Sequence, residues 1–130
     1  MTDDASTTAS APSPEPEETD PRDLMPTDLD AATRSFIEDF AYAWGVAGNP
    51  RMDGRVLGLF MIVDAPLLSS ARIAHLLHAS AGAVSMSTRS LLSIGFIKPV
   101  SLPGDRSHYF RVEDDVWGSF LAGERESLRR

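Results

Sequence analysis

Ser80-Ala-Gly82-Ala83-Val84-Ser85-Met86-Ser-Thr88-Arg89-Ser-Leu91-Leu-Ser-Ile94-Gly95 decides the fold, together with Phe96-Ile-Lys-Pro-Val100, Pro103-Gly-Asp-Arg106 and His108-Tyr-Phe-Arg-Val112. Ser80 has the side chain of a helix N-cap, and Gly95 closes the helix that follows it. Val84, Thr88, Leu91 and Gly95 recur at the spacing of one inward face. Gly82, Ala83, Ser85, Met86, Arg89 and Ser93 then lie sideways or outward. Phe96-Ile97 and Tyr109-Phe110 are strand formers, and Leu102–Arg106 is the turn that joins them. A narrow helix able to enter one groove of a duplex, followed by a cationic hairpin able to reach the next, is the winged helix-turn-helix plan.

Working backwards, Ser69 is a second good N-cap, and Ile73, Leu76 and Leu77 supply the buried stripe of the helix it opens. His78-Ala79 makes the turn, with His78 suited to the left-handed backbone position. A helix over about residues 51–64 is apolar on most sides. Its Gly54 and Gly58, four apart, permit close approach of a neighbour, and Ala65-Pro66 ends it. Arg55 inside this run calls for an exposed edge or a carboxylate partner. An earlier helix, about residues 28–44, is capped by Thr27 or Asp28. Leu29, Phe36, Ile37, Phe40 and Trp44 form its apolar stripe, and Gly48-Asn49-Pro50 stops it. A last helix over 114–130 carries Val116, Trp117, Phe120, Leu121 and Leu128.

The expected fold class is therefore mainly α with a small β-hairpin wing. Flanking helices at 27–45 and 114–130 are expected to serve dimerisation through Phe36, Phe40, Trp117, Phe120 and Leu121. Residues 1–26 hold five of the nine prolines and many Ser, Thr, Glu and Asp, too little apolar surface to offset the entropy of ordering. They are expected to be a disordered acidic tail ahead of one domain over 27–130.

Charge distribution says more than its total. The 130-residue chain has a formal net charge of −7. Residues 1–26 carry seven acids and one base, whereas residues 66–112 carry five bases (Arg72, Arg89, Lys98, Arg106, Arg111) and one acid, Asp105. A cationic block within an acidic chain is the footprint of a phosphate-binding face. The candidate DNA contacts are Ser70, Arg72, Ser80, Gly82, Ala83, Ser85, Met86, Arg89, Arg106 and His108. Small residues near the helix start allow close approach. Serines can bond phosphate or a base edge, Arg89 can reach guanine or phosphate, and Met86 can touch a thymine methyl. Arg106 at the turn suits the negative potential of a narrow minor groove. Asp105 beside it is expected to bond the turn backbone or steady Arg106.

Other chemistries find little support. There is no cysteine, which removes disulfides and thiolate metal sites and fits a cytoplasmic protein. No apolar run approaches the ~20 residues needed to span a bilayer. His75 and His78 lie three apart but lack a third ligand, so no metal site is expected. With one lysine and no Gly-rich phosphate loop, the chain does not read as an enzyme. No cofactor is expected.

From about Trp44 to Val112 the chain resembles the MarR superfamily of winged-helix regulators, within it the GbsR/MarR-like group. The resemblance is carried by Pro50, Gly54-Arg-Val-Leu-Gly58, Asp64-Ala-Pro66-Leu, Ile73-Ala-His-Leu76, Ser80 through Met86, Arg89, Leu91, Gly95 and Pro103-Gly-Asp-Arg106 with Tyr109. It implies a homodimer on a palindromic operator and transcriptional control, with residues 82–89 reading the major groove and Arg106 the minor. Alongside the dimeric regulator, a small-molecule effector binding between the dimerisation helices and the winged domain is a further expectation. Three positions depart from the family pattern. His78 replaces the turn glycine, at up to ~1 kcal/mol of backbone strain. Thr88 replaces a core leucine, so its hydroxyl needs the Val84 carbonyl. Arg72 replaces an acid. The distal dimerisation helix of the family reads as shortened or absent. The leading expectation is a dimeric repressor; the alternative is a winged-helix module that binds protein without DNA.

Overall fold

The computed structural model describes residues 19–113. The expected C-terminal helix, with Trp117, Phe120 and Leu121, lies outside the described residues. Within them, α1 spans Ala31–Val46, α2 Arg51–Ile62, β1 Leu68–Ser69, α3 Ser70–Leu77, α4 Ala81–Ser93, β2 Ile97–Val100 and β3 Tyr109–Val112. The mainly helical architecture with a small antiparallel sheet matches the expected fold class.

The start of α1 differs from expectation. Asp30, not Thr27 or Asp28, is the cap, its carboxylate accepting the Thr33 N–H at 2.8 Å. The reason is Leu29, which is buried in the core and holds the chain extended through position 30. Asp28 instead accepts the Leu29 N–H. The helix runs to Val46, past the expected end, and stops where Gly48 takes a φ of 98°.

The glycines of α2 do what their spacing implies. A methyl group placed on Gly54 would sit 2.8 Å from both Ala41 Cα and Trp44 Cβ, and one on Gly58 3.3 Å from the Phe40 ring. The two helices thus meet backbone to backbone. Val56, Leu57 and Leu59 are wholly buried, while Met61 and Ile62 at the far end are exposed, so α2 is central except in its last turn. Arg55 meets the carboxylate partner its position demanded: Nε donates to Glu38 Oε2 at 2.9 Å.

The corner between α3 and α4 is built from local rules. Ser69 Oγ accepts the Arg72 N–H, and Ser80 Oγ accepts the Ala83 N–H, each at 3.0 Å. Between them His78 has φ 54° and ψ 45°, the left-handed position expected of it. That conformation lets the Ala79 N–H reach back to Ala74 O. The carbonyls that end α3 without helical partners are taken up by guanidinium groups from other helices: Arg34 Nη1 donates to Leu76 O at 2.9 Å and Arg55 Nη2 to Leu77 O at 2.6 Å. Terminal carbonyls carry the negative end of the helix dipole, so cationic donors suit them. Thr88 Oγ1 donates to Val84 O at 2.9 Å, the partner required of a buried hydroxyl.

The sheet has three strands, not the two of a plain hairpin, in the order β1-β3-β2, all antiparallel. Leu68 pairs with Phe110 and Ser69 with Tyr109, which fastens the start of α3 to the hairpin. β2 begins at Ile97, not Phe96, and includes Pro99. It is an edge strand, where a proline's missing donor is tolerated.

Of the tail expected to be disordered, residues 1–18 lie outside the described residues, and residues 19–26 are structured. Pro21–Leu24 forms a turn of 3-10 helix capped by Asp20, and Met25 packs against the core. Composition predicted otherwise because the segment is held by polar contacts to its backbone and by one methionine, not by an apolar stripe.

Candidate nucleic-acid interface

Helix α4 presents the outward face that its spacing implied. Met86 is 69% exposed, Gly82 and Arg89 are exposed, and Ala83 and Ser85 are half-buried. Space around Gly82 is open, with nothing within 4 Å of where a side chain would begin. Ser80 is exposed, but its hydroxyl oxygen is engaged by the cap. Arg106, at the hairpin tip beside Gly104 (φ 75°), and His108 are also exposed. Among the described residues, neither Arg89 nor Arg106 has an intramolecular ion pair or side-chain hydrogen bond. By contrast Arg22, Arg34, Arg51, Arg55 and Lys98 are all in ion pairs. Two cations on the helix and the hairpin thus remain available to a polyanion.

Ser70 and Arg72 are placed differently. Ser70 is half-buried at the start of α3, and its backbone N–H donates to His108 O at 2.9 Å, joining helix to hairpin. Arg72 Nη1 donates to Pro26 O at 2.7 Å and Met25 O at 3.4 Å. Its charge is therefore turned toward the N-terminal segment instead of standing free for phosphate.

Asp105 is the hub of the hairpin tip. Its carboxylate accepts the Ser107 N–H at 2.8 Å, the Tyr109 hydroxyl at 2.7 Å and Arg22 Nη1 at 3.1 Å. It bonds the turn backbone, one of the two roles expected, but its cation is Arg22 and not Arg106. These donors favour the ionised form, the Ser107 N–H most, and hold the carboxyl well below the ordinary carboxylate range. The same bond raises the Tyr109 phenol above its usual value.

The polar cluster behind α4 escaped the sequence reading. Asp53, in the first turn of α2, is 5% exposed and accepts from Ser87 Oγ at 2.7 Å and Ser90 Oγ at 3.1 Å. Ser87 is itself buried, on the same inward side as Val84 and Leu91. The available signal was a serine at an inward position of α4, which requires a buried partner. An apolar concavity of about 380 Å³ lies beside this cluster, walled by Pro50, Met52, Ala83 and Met86.

The expected dimer residues on α1 divide. Phe36 is 36% exposed, while Phe40 is half-buried and packs on Gly58. Phe36, Phe40 and Trp44 stack in sequence at centroid separations of 6.3 and 5.7 Å. No three metal-binding side chains cluster among the described residues, and no helix there is long and apolar enough to cross a membrane.

The arrangement has known counterparts. The chain is 36% identical over 94 residues to the HTH-type transcriptional regulator MmpR5 of Mycobacterium tuberculosis (strain ATCC 25618 / H37Rv), covering 72% of this chain and 55% of that protein. A crystal structure of a transcriptional regulator superposes with a TM-score of 0.62 at 35% identity, over 75% of this chain and 65% of the other. Over this span the chain is similar to MarR-type winged helix-turn-helix transcriptional regulators. A MarR mutant from E. coli complexed with operator DNA gives a TM-score of 0.46 at 13% identity, over 63% and 56% of the two chains. No family model matches the chain. It spans about half the length of the curated relative that it matches. That relative and the first superposed structure are described as transcriptional regulators, in line with the expectation of a non-enzyme. Helix α4 and the β2–β3 hairpin occupy the places where the sequence led one to expect a recognition helix and a wing.

Proposed function

We propose that the protein is a sequence-specific DNA-binding transcriptional regulator, a cytoplasmic homodimeric repressor that reads a palindromic operator. The observation that carries this reading is the pair Arg89 and Arg106, exposed on recognition helix and wing and free of ion pairs among the described residues. Arg89 and the small, open start of α4 at Gly82 serve base recognition, and Met86 offers an apolar contact for a thymine methyl. Arg106 serves the minor groove. Ser85 and His108 flank these as phosphate contacts, whereas Ser80, Ala83 and Ser70 shape the backbone. A dimer through the exposed part of α1, including Phe36, places two recognition helices one helical turn apart, about 34 Å. Two-fold symmetry of the protein then dictates a palindromic site, and occupancy of that site excludes polymerase. An effector bound between the dimer helices and the winged domain acts by changing this spacing.

Selection of bound fragments from genomic DNA with purified protein tests the proposal. The expected result is an inverted repeat whose half-sites are centred one helical turn apart. Affinity for it should fall steeply with salt, as counterion release demands, at about 0.9 log unit per log unit of salt for each phosphate neutralised. Absence of enrichment, or binding indifferent to salt, favours the protein-binding module instead.

A further inference from the structure

We propose that Arg22 is a positioning residue for the wing, and that residues 20–27 form a strap that fixes the hairpin tip and so sets where Arg106 meets DNA. The inference rests on the DNA-binding reading and adds a residue that the helix-and-wing plan does not contain.

The strap is anchored along α3. Arg72 holds the carbonyls of Met25 and Pro26, the Ser69 N–H meets Met25 Sδ at 3.4 Å, and His75 Nε2 lies 3.2 Å from Thr27 O. Met25 packs against the core beneath. Upstream of this anchor, Arg22 is oriented by its own neighbour. Its Nε donates to Asp20 Oδ1 at 3.0 Å and its Nη2 to Asp20 Oδ2 at 2.7 Å, a fork against a carboxylate. The fork fixes the plane of the guanidinium, and within that plane Nη1 donates to Asp105 Oδ2 at 3.1 Å.

The recipient is the residue next to Arg106. Asp105 already organises the tip through the Ser107 N–H and the Tyr109 hydroxyl. Those two bonds lie within the hairpin, whose other ties to α3, the β1–β3 pairing and the Ser70 N–H on His108 O, hold its base and not its tip. β2 and β3 are four residues each, and the connection between them, residues 101–108, is as long as both together. The bond from Arg22 crosses 83 residues and ties that long tip to the strap, and through it to α3. Arg22 therefore acts on DNA through Asp105 and the placement of Arg106, not by touching phosphate.

The test uses the full chain carrying Arg22→Ala or Arg22→Lys, each with and without Arg106→Ala. Amide exchange is followed at Asp105 and Ser107 without DNA. Affinity is measured by fluorescence anisotropy on the genomic fragment that the wild type enriches most. Arg22→Ala should melt close to the wild type, since Arg22 itself is exposed, yet exchange faster at both amides and lose up to about fivefold in affinity. In the Arg106→Ala background the same change should cost nothing further. Arg22→Lys should behave like Arg22→Ala, because an ammonium cannot bridge Asp20 and Asp105 with a fixed fork. Unchanged exchange at Asp105 and Ser107 overturns the strap. An equal affinity loss with and without Arg106 overturns it in favour of a direct phosphate contact. If the wild type binds no fragment, the DNA reading fails by itself, and the exchange data still decide whether the strap holds the tip.

Discussion

Replacing Gly54 by alanine tests the packing that positions everything else. The new methyl would lie 2.8 Å from Ala41 Cα and from Trp44 Cβ, and neither is the loose end of a side chain. The helices must separate or slide, and such overpacking costs about 1–3 kcal/mol. Alanine is the better helix former by up to about 1 kcal/mol, which offsets part of that. The net expectation is a loss of about 1–2 kcal/mol. Gly82→Ala is the control. It lies in a helix of the same domain but in open space, so it should keep the propensity gain without the clash. Gly58→Ala falls between, because its nearest neighbour at 3.3 Å is an atom of the Phe40 ring, which can turn. Urea unfolding monitored by circular dichroism gives all three values at unchanged denaturant slope. If Gly54→Ala proved as stable as Gly82→Ala, the backbone contact between α1 and α2 would not exist as described.

Other consequences are open to measurement. Asp53→Ala leaves the hydroxyls of Ser87 and Ser90 without their acceptor and should cost about 1–3 kcal/mol in the same unfolding assay. On the proposed function, Arg106→Ala should weaken binding to most DNA sequences and reduce the salt slope by about 1, whereas Arg89→Ala should relax base preference by about 1–3 kcal/mol. Anisotropy titrations on matched and mismatched operators separate the two. His78→Gly should relieve the left-handed strain and raise stability by at most about 1 kcal/mol. Asp105 is held ionised in the folded protein below its ordinary value of 3.8. The unfolded chain therefore binds the proton first, and the linked stability is intact above about pH 4 and drains away as acid is added. Unfolding at pH 4 and below should show the wild type losing stability more steeply than Asp105→Asn.

Much of this was readable because it is set by neighbours in sequence. Ser69 and Ser80 cap the helices they precede, His78 takes the left-handed corner, and Thr88 bonds the carbonyl four residues back. Gly54 and Gly58 announced the close helix pair. What escaped depends on residues distant along the chain. β1 is two residues long, too short for any alternation to register, and exists because β3 pairs with it. Nothing in the local sequence marks Asp53 as the buried partner of Ser87, 34 residues away. Nothing local reveals that the Met25 and Pro26 carbonyls return to Arg72. Composition spoke for disorder over residues 19–26, and the strap's few polar anchors carry no periodic signature.

The two guanidinium groups on the end of α3 have a mechanical implication. Arg34 belongs to α1 and Arg55 to α2, yet both grip the peptide oxygens just ahead of the His78 corner. A push on α1, whether from a second subunit or from a small molecule, is delivered at the pivot from which α4 departs. To leave the corner behind, the push must break these charge-assisted bonds, so tilting α1 and steering α4 amount to one motion.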